Sequence, residues 1–242
     1  MSFFSILIYD TKIIKYSVNT IGQLCKKNTV QITCLIITTS MAIFSRDKMI
    51  IFIHIPKNAG SSINHLLHNS LNFEPIGKKH DNLQMFPQIK FKHAFCVVRN
   101  PFDRLASHYW YHYRVFDVKM GKKWKLEYGE KNRKIWQFLC KGFEHYVKSN
   151  EFEDVFHSDN PKWFDTRWEP QSSWADGCDI ILRYENLKHD WIQIQQLLQT
   201  SFILPKINQS PNNDYRKMYS DDLKKYCANK FEKDLNQFNY SF

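Results

Sequence analysis

The chain has 242 residues with 34 Lys and Arg against 24 Asp and Glu, a formal charge of +10. That length suits one domain with a complete core, and 16% aromatic residues with only 7 glycines exclude a disordered or low-complexity chain. So basic a balance points to an anionic partner, whether nucleotide, nucleic acid, acidic glycan or membrane surface, without choosing among them.

Residues 1–48 form an N-terminal extension. Asn28 to Ser45 carries no charge and follows Lys26 and Lys27, the pattern of a signal anchor. Asn28, Thr29, Gln31, Thr33, Thr38, Thr39 and Ser40 make it polar for a span, and no stalk separates it from the strand near Met49. The expectation is therefore a cytoplasmic protein; the alternatives are an anchor through 28–45, or translation starting at Met41 or Met49. The six cysteines form no C-x-x-C pair, which leaves a zinc or thioredoxin-type motif without support. Their scatter fits a reducing compartment, with a secreted disulfide framework as the alternative, and Cys96, inside an apolar run, reads as a buried small hydrophobe.

The domain proper is expected over 49–242. It opens with a strand (49–55), a loop (56–60) and a helix (61–70) in "IFIHIPKNAGSSINHLLHN". A second apolar strand, "HAFCVV" (93–98), precedes a helix from Pro101 to about Arg114. A basic, aromatic stretch (114–134) leads to an amphipathic helix over 135–149. A loop holds "WFDTRWEPQSSW" (163–174), and "DIILRYENL" (179–187) is a strand running into a helix that ends near Leu198. The last helix has Ser220 as its N-cap and places Leu223, Tyr226, Cys227 and Phe231 on one face. Short apolar strands alternating with helices imply an α/β three-layer domain with a central parallel sheet.

Two segments carry chemistry. In the first, "PKNAGSS", a helix N-terminus offers unpaired amides and the positive end of its dipole to an anion. Gly60 lets the backbone approach a ligand, Ser61 and Ser62 add hydroxyls, and Lys57 reaches over the loop as a point charge. A Walker A loop needs G-x-x-x-x-G-K-S/T; here the first glycine is missing and the lysine precedes the glycine. In the second, "FCVVRNPFDRLASHYW" (95–110), Arg99 ends a strand, Asn100 caps a helix, Pro101 takes its first position and Asp103 its first turn. An arginine there is placed to clamp a phosphate with two prongs. Ser107 follows Asp103 and Arg104 at helical spacing, and Arg104 could instead pair with an acid to hold the helix.

The first segment resembles the 5′-phosphosulfate loop of the carbohydrate-type sulfotransferases, PK(T/N)AG(T/S)(S/T), and the second resembles that family's R-(N/D)-P-(F/W)-x-R-L-x-S-x-(Y/W) signature. "RWEPQSSW" with "CDIILRYENL" is similar to the family's PQ loop and following strand, and the segment from Tyr215 to Tyr240 is similar to its closing segment. The resemblance covers Met49 to Tyr240. It implies a P-loop-like strand–loop–helix in a nucleoside-triphosphate-hydrolase-like fold. It also implies sulfuryl transfer from 3′-phosphoadenosine 5′-phosphosulfate (PAPS) to a hydroxyl, on a carbohydrate. By the same resemblance Lys57, Asn58, Ala59, Gly60, Ser61 and Ser62 bind the 5′-phosphosulfate, with Lys57 beside the bridging oxygen. Arg99 and Ser107 then bind the 3′-phosphate. No metal is expected, since Lys57 and the backbone supply the positive charge.

A general base is needed, and histidine is the usual choice. His80, in "GKKHDN" between the two motifs, comes first, although its flanking lysines depart from the small residues expected there. His54 is the runner-up and His93 follows. His108 with His112, and His65 with His68, have metal-ligand spacing, but no third ligand is evident. The stretch 114–134, with Phe116, Trp124 and Tyr128 among cations, reads as an acceptor lip, a nucleic-acid contact or a solvated face. Trp163, Trp168 and Trp174 are walls of an acceptor groove or core. Two alternatives stay open: an atypical nucleotide kinase or hydrolase needing Mg²⁺, and a non-enzymatic polyanion binder with steep salt dependence. Nucleic acid is not expected as a partner, and membrane association is not favoured.

Overall fold

The computed structural model describes residues 5–9, 12–16, 41–120, 129–157, 166–207 and 214–242. The chain divides into two compact units, Met1–Thr39 and Ser40–Phe242. In the first, β1 (Ser5–Tyr9) and β2 (Lys12–Tyr16) form an antiparallel hairpin with Ser5 opposite Tyr16. Among the described residues no helix is long and apolar enough to cross a membrane; of the uncharged segment, 28–40 lies outside them.

The second unit is an α/β domain around a five-stranded sheet. Its strands are β3 (Met41–Ser45), β4 (Ile50–Ile53), β5 (Glu74–Lys79), β6 (His93–Val98) and β7 (Ile180–Arg183), in the order β5-β3-β4-β6-β7. β4, β6 and β7 run parallel, whereas β3 is antiparallel to both β4 and β5. The sheet is thus mixed rather than wholly parallel. The cause is local: the turn at 46–49 is too short for a crossover, so β3 and β4 must be antiparallel. β3 also brings residues 41–45 into the sheet, ahead of the strand on which the sequence reading opens the domain.

Helices α1 (Gly60–Leu71) and α7 (Leu187–Leu198) cover one face, where Ile50, Phe52, Ile63, Leu67, Phe95 and Trp191 pack together. Ile51, Ile53, Cys96 and Val98 point to the other face and meet Trp174 of α6 (Ser172–Ala175) and Phe238. Alternate residues of β4 and β6 thus serve opposite cores, the period of two dictated by the pleat. Both faces of these strands being covered explains their unbroken apolar runs. A third core joins α2 (Pro101–Met120), α3 (Gly129–Cys140), α4 (Phe143–Lys148), α5 (Glu151–His157) and α8 (Asp221–Gln237) through Phe102, Tyr109, Phe138, Tyr146, Phe152 and Phe231.

The helix expected over 135–149 is two helices. Gly142, at φ 96°, breaks them. Phe138, Leu139, Phe143 and Tyr146 all face the same core across the break, so the apolar period runs on through it. α8 starts as expected, with Ser220 Oγ accepting from the Leu223 amide at 3.2 Å. Leu223, Cys227 and Phe231 are buried, but Tyr226 is exposed and leans on Trp168.

Because β4, β6 and β7 are parallel, their C-terminal ends lie along one edge of the sheet. The segments that leave them, 54–59, 99–100 and 184–186, therefore gather there, where ligands bind in open α/β sheets.

Candidate active site

β4 delivers His54 and Ile55, both buried, into a turn from Pro56 to Ala59. Lys57 (φ 69°) and Ala59 (φ 62°) are both left-handed, a conformation costing roughly 1–2 kcal/mol for a residue with a Cβ. The turn persists because its surroundings over-determine it. Arg104 Nε donates to the Pro56 carbonyl (3.2 Å) and Arg99 Nη1 to the Lys57 carbonyl (3.0 Å). Asn58 Nδ2 donates to the Val97 carbonyl (2.7 Å) and to Gln171 Oε1 (2.6 Å). Between the two left-handed residues the Asn58 amide turns back to the Ile55 carbonyl, at 3.4 Å.

α1 starts at Gly60. The Ser62 and Ile63 amides both donate to the Ala59 carbonyl, at 2.9 and 3.2 Å. Among the described residues no acceptor meets the amides of Gly60 and Ser61, which lie at the positive end of the helix dipole. Ser62 faces inward: it is buried, and its hydroxyl accepts from the Ile207 amide at 3.1 Å. The Asn58 side chain is likewise committed to the protein interior, so a ligand meets the loop's backbone rather than this amide. Gly60 makes room for protein, not only for a ligand: a Cβ on it would fall 2.3 Å from the His54 ring.

The second motif is built as its residue types suggest. Asn100 Oδ1 accepts from the Phe102 amide at 3.0 Å, closing the first turn of α2. Arg99 is buried, with Nε on Asp103 Oδ2 at 2.7 Å and its guanidinium 4.0 Å from the centre of the Tyr184 ring. Stacking and ion pair together fix the plane of the fork. Ser107 is buried one turn beyond Asp103. Arg104 grips backbone carbonyls. It is 1% exposed and donates to the carbonyls of Pro56, Glu169 (3.0 Å) and Thr166 (2.7 Å). Burial raises the Glu169 carboxyl pKa, with Arg104 opposing.

The histidines separate. His80 follows β5 at φ 64°, and its Nδ1 is 3.5 Å from the His54 carbonyl. The two rings meet edge to face, with centroids 5.6 Å apart. His54 and His80 are thus neighbours at the carboxyl edge, beside the loop. His93 opens β6 at the opposite end of the strand from Arg99 and is bonded to Asp179 at 2.7 Å, away from the loop. His108 is buried and its pKa lies well below the usual value, first by desolvation, then by the charges of Arg104, Lys57, His112 and Arg167. His112 Nδ1 lies 2.9 Å from the Tyr146 hydroxyl, His65 bonds Asn69, and His68 bonds the Phe73 carbonyl. Among the described residues no group of three or more His, Cys, Asp or Glu side chains gathers for a metal.

Two residues without an assigned role matter. Gln171 is fully buried and ties the Asn58 side chain, both backbone groups of Arg99 and Asp234 into one network. Tyr111 carries the Lys57 ammonium 3.9 Å above its ring centre. Trp174 is core, not groove wall: it is 2% exposed and its Nε1 donates to the His80 carbonyl at 2.8 Å. Trp168 packs on Phe231. Trp163, Trp124 and Tyr128 lie outside the described residues, while Phe116 is buried.

An edge with a helix N-terminus, a lysine and a clamped arginine has the charge and the donors to hold an anion. The chain matches the family model described as Sulfotransferase family over residues 40–241, and it belongs to that family: it is a sulfotransferase. No curated protein and no solved structure matches it.

Proposed function

We propose that the protein moves a sulfuryl group from PAPS to a hydroxyl of a carbohydrate. The observation that carries the donor is the pair of amides at Gly60 and Ser61, without a described acceptor, beside Lys57 and in reach of the Arg99 network. These groups suit the 5′-phosphosulfate. Arg99 and Ser107, on the end of β6 and on α2, suit the 3′-phosphate, and Arg99 arrives already oriented by Tyr184 and Asp103. The acceptor class rests on the resemblance of the motifs to carbohydrate-type enzymes and on the +10 charge, which suits an anionic glycan.

In the reaction the acceptor oxygen forms a bond to sulfur as the bond from sulfur to the bridging oxygen breaks. The electron pair goes to the phosphate, and Lys57 stabilises the charge that develops there. The acceptor proton goes to His80. Binding energy and orientation do the rest.

The test is thermal stability with 3′-phosphoadenosine 5′-phosphate beside AMP, ADP and Mg·ATP at matched concentration. At about 100 times Kd a ligand confined to the folded state adds roughly 2.7 kcal/mol. The expected result is stabilisation by the 3′-phosphorylated nucleotide above all others. Stabilisation by Mg·ATP alone would overturn the donor assignment, and no shift with any nucleotide would favour a polyanion binder.

A further inference from the structure

We propose that Tyr111 is the positioning residue of the catalytic lysine: its ring face sets the direction of the Lys57 side chain. The proposal rests on Lys57 acting at the leaving group. The backbone around Lys57 is already fixed, since Arg104 holds the Pro56 carbonyl, Arg99 the Lys57 carbonyl and Asn58 the carbonyl of Val97. The four-carbon stem beyond it is flexible and carries a point charge with no directional fork. Its ammonium lies 3.9 Å from the centre of the Tyr111 ring, where the quadrupole attracts a cation.

α2 is arranged for this. Arg104, His108 and Tyr111 stand at i, i+4 and i+7, one stripe of the helix. The first grips the loop backbone and the third meets its lysine. Between them His108 is buried, with Nε2 bonded to no described group, and desolvation keeps it uncharged. A protonated histidine there would repel Lys57; a neutral one does not. Tyr111 is half-buried, so the contact is partly shielded from water and stronger than on an open surface.

The experiment compares kcat with nucleotide affinity in wild type, Tyr111→Phe, Tyr111→Leu, Lys57→Ala and Lys57→Ala/Tyr111→Leu. Tyr111→Phe keeps a ring face and should keep kcat within about twofold, while Tyr111→Leu should lower kcat about tenfold. The Kd for 3′-phosphoadenosine 5′-phosphate should stay within about twofold in both, because that nucleotide lacks the transferred group. In the Lys57→Ala background, Tyr111→Leu should cost almost nothing more. Equal loss in Tyr111→Phe and Tyr111→Leu, additive loss in the double variant, or a weakened Kd with intact kcat would each overturn the assignment, the last by making Tyr111 a nucleotide contact. Wild-type protein that neither binds the nucleotide nor transfers sulfate would overturn the donor reading itself, and this proposal with it; that outcome is recognised before any variant is made.

Discussion

The His54 imidazole lies against Gly60 so closely that a Cβ there would come 2.3 Å from its Nε2. Gly60 is not among the positive-φ residues, so space, not backbone freedom, demands glycine. The ring cannot easily yield: it is 4% exposed and its Nδ1 lies 3.3 Å from Asn64 Nδ2, which also donates to the Met41 carbonyl. Gly60→Ala should therefore cost about 1–3 kcal/mol as overpacking and disturb the first turn of α1 where the anion is expected. Urea melts of Gly60→Ala, His54→Ala and the double variant check this. The alanine at 60 should cost far less once the imidazole is gone; an unchanged cost would place the clash elsewhere.

Gln171 uses its whole hydrogen-bonding capacity. Nε2 donates to the Arg99 carbonyl (2.8 Å) and Asp234 (3.2 Å); Oε1 accepts from the Arg99 amide (2.9 Å) and Asn58 (2.6 Å). Asp234 also accepts from the backbone amides of Gln171 and Ser172. Gln171→Ala leaves buried peptide groups unpaired, each worth about 1–3 kcal/mol, and should shift the urea midpoint by an amount equal to about 3 kcal/mol without changing the slope. Gln171→Glu should be worse, since it sets a second carboxylate beside Asp234. If the glutamate variant proved as stable as wild type, the network would not have the polarity described.

What the sequence reveals follows from how local each feature is. β6 and the cap of α2 are legible because an apolar run, Asn100 and Pro101 lie next to one another. β5 is not. "EPIGKK" holds a proline and a glycine, and it survives as a strand because it is an edge, paired only with β3. The antiparallel β3 was hidden for another reason: it lies at the end of the uncharged segment 28–45, which reads by composition rather than by pairing. Lys57, Gly60, Ser61 and Arg99 come from two adjacent motifs. Gln171 and Arg104 stand in the quoted motifs, but their partners are not legible there: Gln171 reaches Asn58 across 113 residues, and Arg104 binds backbone carbonyls, which every residue carries.

Acid should destabilise the fold through His108. Its folded pKa is well below 6.5, through burial first and then the cations around it. Below about 6.5 the unfolded chain binds a proton that the folded chain does not, so stability rises with pH in that window and is lost as pH falls towards the folded pKa. One such group contributes up to about 1.4 kcal/mol per pH unit. Melting temperatures of wild type and His108→Asn between pH 7.5 and 5.5 test this. The variant should show a flatter decline; parallel curves would assign the acid limb to other groups.

The proposed mechanism needs a general base, and two neighbouring histidines are its candidates. His54 is walled in by Gly60 and Asn64, whereas His80 is half-buried, with its carbonyl anchored by Trp174 Nε1 at 2.8 Å. A base must reach the acceptor hydroxyl, which favours the more accessible ring. His80→Asn is the suitable variant, because φ there is 64° and asparagine tolerates the left-handed region. It should lower kcat by about 10²–10⁴ and abolish the fall in rate towards low pH, which in wild type reports protonation of the base. The pH–kcat profiles of His80→Asn and His54→Ala decide the matter. A profile that keeps its acid limb in His80→Asn and loses it in His54→Ala would move the role to His54, and His80 would then act on it only through the contact between their rings.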